Sequence, residues 1–446
     1  MSASVLIDGH NLTLKSATGI GTYARNLAAT AASLGFRPEL LLGGNSSVDR
    51  KEPELSEIFL FDALTQLKPS LKVRMQRSLA ELAGKPFGVW AGEFSRVGAV
   101  EDASAAPLRG FHKIHVATSL FEFALSHFKR YGSPANVKLA TPPALFHLTF
   151  PAALKTRGCP NIYTVHDIVP LRLPQTTLDD KKVFLKLVRH LCRHADHIVT
   201  VSEFSKQDIT RFFGLPESRI TNTYQSVKLP AFIVKKTDDE VADEVSKSFG
   251  LDFRGYYMFY GAIEPKKNVA RLIDSYAASG SRFPLIVVGG LGWQYEAEVE
   301  KLKDERFLYY RREADRLVPS RRVQRIPYLP FSQLMTLVKG ARGVLFPSLY
   351  EGFGLPVLEA MSLGTPVITS NVASLPEISG DAALLVTPTD VDSITRAIQA
   401  FDHDDGLRQE LAQRGRKRAA FFSPEAYGAR LASLYAGLGV QLPQSH

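Results

Sequence analysis

Leu349-Tyr350-Glu351-Gly352-Phe353-Gly354-Leu355-Pro356-Val357-Leu358-Glu359-Ala360-Met361 is the stretch on which the reading of this chain turns. Before it, apolar Gly343-Val344-Leu345-Phe346-Pro347 reads as a buried strand ending at Ser348. Gly352 and Gly354 give a loop whose backbone can approach a ligand closely. Pro356 suits the first helical position, where its missing N–H costs nothing, and Gly364 stops the helix. Pro366-Val367-Ile368-Thr369 reads as the next strand. The loop therefore sits at the carboxyl end of a strand, where open parallel sheets bind ligands. Free N–H groups at the helix start favour an anion such as phosphate, while Glu351 and Glu359 can accept hydrogen bonds from hydroxyls. Phosphate plus several hydroxyls describes a sugar nucleotide.

The segment resembles the Glu-x7-Glu signature of retaining glycosyltransferases of family 4, which have the GT-B fold. The resemblance implies that Glu351 contacts the donor sugar and Glu359 the nucleotide ribose. Gly352, Phe353, Gly354 and Leu355 are then expected to line the same donor site.

At 446 residues the chain is too long for one ordinary core, and two or three domains are expected. Hydrophobic content of 45% and charged content of 22% are those of a globular protein in water. No run approaches the ~18 apolar residues of a membrane span. Ser2-Ala3-Ser4 leads straight into Val5-Leu6-Ile7 without a basic leader, so a cytoplasmic protein is expected. Cys159 and Cys192 stand far apart and outside metal-ligand spacing. The net charge of +9 and a pI near 9.3 suit anionic partners. Nucleotide phosphates and an anionic lipid surface fit; nucleic acid is not expected, because no recognition-helix, zinc-finger or stacking-aromatic pattern accompanies the charge.

Strands alternating with helices predict a parallel, doubly wound sheet in each half. Val5–Asp8, Glu39–Leu42, Asn161–Val165 and His197–Val201 read as strands of the first half, with helices at Thr22–Leu34 and Glu203–Phe213. The alternation restarts at Tyr256–Tyr260. The expected domains are 1–229, a Rossmann-like acceptor-side domain, and 255–423, a Rossmann-like donor domain. Residues 230–254, with Pro230, two lysines and an acidic run, read as an exposed linker. Residues 424–446 read as a C-terminal helix packing back on the first domain. The fold class expected is α/β, GT-B, with an inter-domain cleft.

Gly19-Ile20-Gly21-Thr22-Tyr23-Ala24 matches a dinucleotide fingerprint, but it lies too far from the first strand, and no acidic residue ends the second strand at Leu42-Gly43-Gly44-Asn45. It resembles instead the family's N-terminal glycine loop, which implies that Gly19 and Gly21 lie beside the donor diphosphate. Thr164-Val165-His166-Asp167 looks like the family's Val-His-Asp element, which implies His166 and Asp167 facing the donor sugar. A positioned imidazole there could donate to a hydroxyl or stabilise developing charge.

Tyr260-Gly261-Ala262-Ile263-Glu264-Pro265-Lys266-Lys267-Asn268 resembles the segment whose basic residues neutralise the donor diphosphate. Lys267 matches its Lys, Lys266 stands where Arg is frequent, and Ala262 replaces an Arg found in many members. The basic residues of this segment are expected to offset the diphosphate charge, so neither a metal nor another cofactor is expected, and the nucleotide sugar is a substrate. Asn371–Glu377 matches a further element read as mainly structural.

Two basic stretches, Lys68–Leu82 and Arg311–Arg325, could touch an anionic membrane carrying a lipid-linked acceptor; a packed helix and a solvated loop are the plainer readings. The resemblance implies a metal-independent retaining transferase, catalysed by His166, Glu351 and Lys267. Gly19-Ile20-Gly21-Thr22-Tyr23 and Glu264-Pro265-Lys266-Lys267-Asn268 resemble bacterial mannosyltransferases of surface polysaccharide assembly, which implies mannose from GDP-mannose as the donor and a glycan or lipid-linked glycan hydroxyl as the acceptor. A sugar-nucleotide epimerase or phosphorylase of the same fold, or a catalytically silent scaffold, are the alternatives.

Overall fold

A computed structural model describes residues 3–12, 19–44, 58, 88–94, 108, 110–313 and 316–443. The expected helix at 68–82 lies outside them. In the first half the strands are β1 (Ser4–Asp8), β2 (Arg37–Gly43), β3 (Val89–Trp90), β4 (Gly92–Phe94), β5 (Lys113–Ala117), β6 (Ala135–Lys138), β7 (Leu145–Leu148), β8 (Leu154–Thr156), β9 (Asn161–Thr164), β10 (His197–Thr200) and β11 (Ile220–Asn222). Eight of them form a sheet in the order β11-β10-β9-β7-β1-β2-β5-β4, parallel except where β4 runs against β5. The runs Leu40-Leu41-Leu42 and Leu145-Phe146 are continuous rather than alternating because helices cover both faces of a parallel sheet.

The second half carries β12 (Tyr257–Tyr260), β13 (Leu285–Val288), β14 (Leu308–Glu313), β15 (Arg316–Arg321), β16 (Val323–Ile326), β17 (Gly343–Phe346), β18 (Val367–Ser370) and β19 (Ala383–Val386). Six form an all-parallel sheet in the order β16-β13-β12-β17-β18-β19. Among the described residues β14 and β15 pair only with each other as an antiparallel ribbon, and this ribbon covers most of the arginine-rich stretch read from sequence as a loop or membrane contact.

Residues 230–254 are not an exposed linker. They form helices Ala231–Val234 and Asp238–Phe249, the second opened by a capping box between Thr237 and Glu240. Val241 and Val245 are fully buried and meet Gly340 at the end of helix Phe331–Gly340, so the segment belongs to the second core. Its charge run is the solvated face of an amphipathic helix. The last helix, Pro424–Gly437, lies against the first half: the Tyr435 hydroxyl hydrogen-bonds His147 Nδ1 at 2.9 Å, and its ring meets Phe36 edge-on.

Candidate active site

In the second sheet the chain moves one way from β12, through β13 to β16, and the other way from β17, through β18 to β19. The gap between β12 and β17 is therefore a topological switch point, where the loops at the strands' carboxyl ends diverge and leave a crevice. Both loops singled out in the sequence leave there. Lys267 ends the single 3-10 turn Pro265–Lys267, and its Nζ donates to Glu351 Oε1 at 2.6 Å while standing 5.0 Å over the Phe346 ring. Only 13% of the Lys267 side chain and 11% of that of Glu351 are exposed, so the pair is largely desolvated. Burial alone would push the Glu351 carboxyl up, but Lys267 and Lys266 outweigh it and hold it below its ordinary range.

Lys266 stands 3.3 Å from Glu264 Oε1. Burial works against its charge, yet Glu351, Glu264 and Asp167 prevail and hold the ammonium above its usual range. The turn is pinned from both sides. Lys267 N–H donates to Glu264 O at 2.9 Å, and Leu349 N–H to Lys266 O at 2.8 Å. Asn268, at φ 61°, donates through Nδ2 to the carbonyls of Pro347 and Pro388. Asn is one of the few side chains that tolerates this left-handed geometry.

Gly354, at φ 108°, turns the chain into helix Leu355–Leu363. The Phe353 side chain faces the core rather than the crevice. Its ring is buried edge-on against Phe422, and its carbonyl accepts from Ser374 Oγ, so it anchors the loop from behind. Glu359 lies one turn further along the helix, beside Tyr260. Burial drives its carboxyl up to about 7, against the opposing Tyr260 hydroxyl.

The first sheet has its own switch point between β1 and β7. Asp8, fully buried at the end of β1, accepts hydrogen bonds from the N–H and Oγ1 of Thr149 just beyond β7. The Thr149 carbonyl in turn accepts from His166 Nε2 at 2.8 Å. A carbonyl cannot donate, so Nε2 carries the proton and Nδ1 of the neutral ring is an acceptor. Burial keeps that ring neutral by lowering its pKa, against the Thr149 bond and Asp167. The expectation of a donating imidazole is thus reversed. Asp167 Oδ1 accepts from Val169 N–H, fixing the turn after His166.

The halves meet at these residues. A Cβ on Gly352 would come within 2.7 Å of His166 O and 2.9 Å of Asp167 Oδ2, so the signature loop lies directly on the His-Asp turn. Gly352 O accepts from Ser202 Oγ at 2.7 Å and Ser205 Oγ at 3.2 Å. Glu377 accepts from the N–H groups of Glu203 and Phe204, capping helix Glu203–Phe213 from the opposite half. Tyr350 donates to Asp208, which also binds Arg172. Gly19 faces Leu355, but Gly19 and Gly21 are the first turn of helix Gly19–Ser33 rather than a loop, and Thr18 lies outside the described residues. Glu351, Lys267, Lys266, Gly352, His166 and Asp167 therefore converge, Gly354 and Leu355 frame them, and Gly21 is buried behind. Sequence reasoning missed Glu264 and the bridging role of Ser202, Ser205 and Glu377. The one available signal was an acid set immediately before Pro265-Lys266-Lys267.

Two family models match: Glycosyl transferases group 1 over residues 243–418 and Glycosyltransferase Family 4 over 90–228. O-antigen chain mannosyltransferase B of Escherichia coli is 34% identical over 272 residues, covering 59% of this chain and 67% of that one. The chain belongs to glycosyltransferase family 4. Two solved structures share the fold of this transferase. Sucrose-phosphate synthase from Thermosynechococcus elongatus superposes with a TM-score of 0.64 at 18% identity, over 98% of this chain and 99% of its own. Anabaena HepE, solved with UDP and glucose, gives 0.63 at 15%, over 97% and 99%. The fold of the transferase is GT-B, as expected. Among its described residues no helix is long and apolar enough to cross a membrane.

Proposed function

We propose that this transferase moves a mannosyl group from GDP-mannose to a hydroxyl of a glycan or lipid-linked glycan, with retention at the anomeric carbon and without a metal ion. The observation that carries the proposal is the buried Lys267–Glu351 pair at the crossover of the donor-side sheet, lying against His166-Asp167 of the other half. The name of the Escherichia coli relative supports mannose, and the HepE complex supports a nucleoside diphosphate.

Before a donor arrives, Lys267 and Glu351 neutralise each other. An incoming diphosphate competes for Lys267 and leaves the Glu351 carboxylate to accept hydrogen bonds from the sugar. Lys266, Lys267 and the amides before helix Leu355–Leu363 then offset the charge that grows on the departing diphosphate. The bond between the anomeric carbon and the phosphate oxygen breaks as the acceptor oxygen bonds on the same face. The acceptor proton passes to the leaving diphosphate, so no second carboxylate is needed as base. Glu351 stabilises positive charge at the anomeric carbon, and His166 Nδ1 accepts from a sugar hydroxyl. Glu359 holds the ribose. Contact between the halves excludes water that would hydrolyse the donor. We place the enzyme at the cytoplasmic face of a membrane, drawn by its +9 charge to anionic lipid around the acceptor carrier.

The test is incubation with GDP-mannose, UDP-glucose and lipid-linked glycan acceptors, with and without a chelator, followed by NMR of the product linkage. An α-mannoside formed equally in chelator supports the proposal. A β-linkage, chelator sensitivity or exclusive use of UDP-glucose overturns the corresponding part. Donor consumed without transfer would favour the epimerase alternative.

A further inference from the structure

Glu264 is 3% exposed, and among the described residues its Oε2 has no hydrogen-bond partner although its Oε1 lies 3.3 Å from Lys266 Nζ. A buried carboxylate oxygen without a partner is costly, and in a native protein it calls for an explanation. The Gly289–Gly292 loop closes over this residue: Gly292 N–H donates to Ile263 O, and a Cβ on Gly292 would sit 3.2 Å from the Glu264 Cβ. The Glu264 carbonyl meanwhile accepts from Lys267 N–H, so one residue holds the backbone of the turn and the head of its first lysine.

We propose that Glu264 is a positioning residue for donor binding, holding the Lys266 ammonium where it meets the diphosphate. The inference rests on the donor reading above. The free oxygen gives Lys266 a second point of attachment, so the ammonium pivots toward a phosphate without leaving its carboxylate. This supplies a positive charge that Ala262 does not carry. Burial raises the Glu264 pKa against the pull of Lys266 and Lys267, with Glu351 adding to the rise. The anchor is therefore weakened as acidification protonates this carboxyl.

The experiment is calorimetric titration of GDP, UDP and guanosine into the wild type, Glu264→Gln, Lys266→Met and the double variant, from acid to neutral pH. Glu264→Gln is expected to weaken diphosphate binding about tenfold while leaving guanosine unaffected. The double variant is expected to bind no worse than Lys266→Met alone, because Glu264 acts through that lysine. Wild-type affinity for the diphosphate falls toward acid, and Lys266→Met flattens that fall even if Glu264→Gln does not fold. Wild-type affinity in Glu264→Gln, additive losses in the double variant, or an acid limb as steep in Lys266→Met as in the wild type each overturn the assignment, the residual limb being the protonation of the diphosphate itself. Binding of UDP but not GDP would refute the donor and leave this role standing; binding of neither would refute both.

Discussion

Lys267 and Glu351 are a desolvated ion pair whose net worth depends on both partners being present. Lys267→Met leaves a buried carboxylate unpaired and is expected to lower unfolding free energy by about 3 kcal/mol. Lys267→Met with Glu351→Gln should regain part of that in urea denaturation. Equal losses in the single and double variants would mean that the charge is solvated after all. Asp8 makes a pH prediction in the first half. Burial raises its carboxyl to about 7 against the hydrogen bonds of Thr149. A carboxyl raised in the folded state stabilises fully at low pH, and that contribution is lost as pH rises from the ordinary carboxylate range through 7. The difference in melting temperature between wild type and Asp8→Asn should therefore favour the wild type more at pH 5 than at pH 8. Taking the difference removes the opposite trend of His147, whose burial lowers its pKa to about 3.

At the scale of elements, the signature loop is held by absent side chains as much as by present ones. Gly352→Ala places a methyl group against His166 O and Asp167 Oδ2. It is expected to cost about 1–3 kcal/mol of stability and to depress turnover more than donor affinity, measured by steady-state kinetics. Unchanged turnover would show that the His-Asp turn and the loop separate during the reaction. Much of this level was legible in the sequence. Gly354, Pro356 and Gly364 announced the loop and helix because each has a local backbone reason to be there. The boundaries of 230–254 misled because Val241 and Val245, spaced four apart among acids, show their apolar face only when a partner helix is known. The inward turn of the Phe353 ring was not legible either, because Phe422, which covers it, lies far along the chain. Lys267 and Glu351 were each singled out, but nothing local says that they touch.

Across the whole molecule, the two halves share apolar packing, with Phe36 against Tyr435 and Tyr224 against Phe422, and polar contacts beside the candidate site. Glu377 reaches from the second half to the amides of Glu203 and Phe204, where a carboxylate also meets the positive end of a helix. Glu377→Ala removes a cap worth about 1 kcal/mol and should shift the chain toward a more open form, seen as a larger radius of gyration in solution scattering without donor. An unchanged radius would assign closure to the Ser202 and Ser205 contacts with Gly352. These long-range pairs join residues more than a hundred positions apart, which is why the sequence carried no trace of them. The central claim is that this junction is where the donor sits, and a crystal structure with an unreactive GDP-mannose analogue tests it most directly. The account predicts diphosphate oxygens in salt-bridge contact with Lys267 and mannose hydroxyls donating to Glu351 opposite His166. Clear density for the nucleotide elsewhere, with the Lys267–Glu351 bond intact, would contradict it.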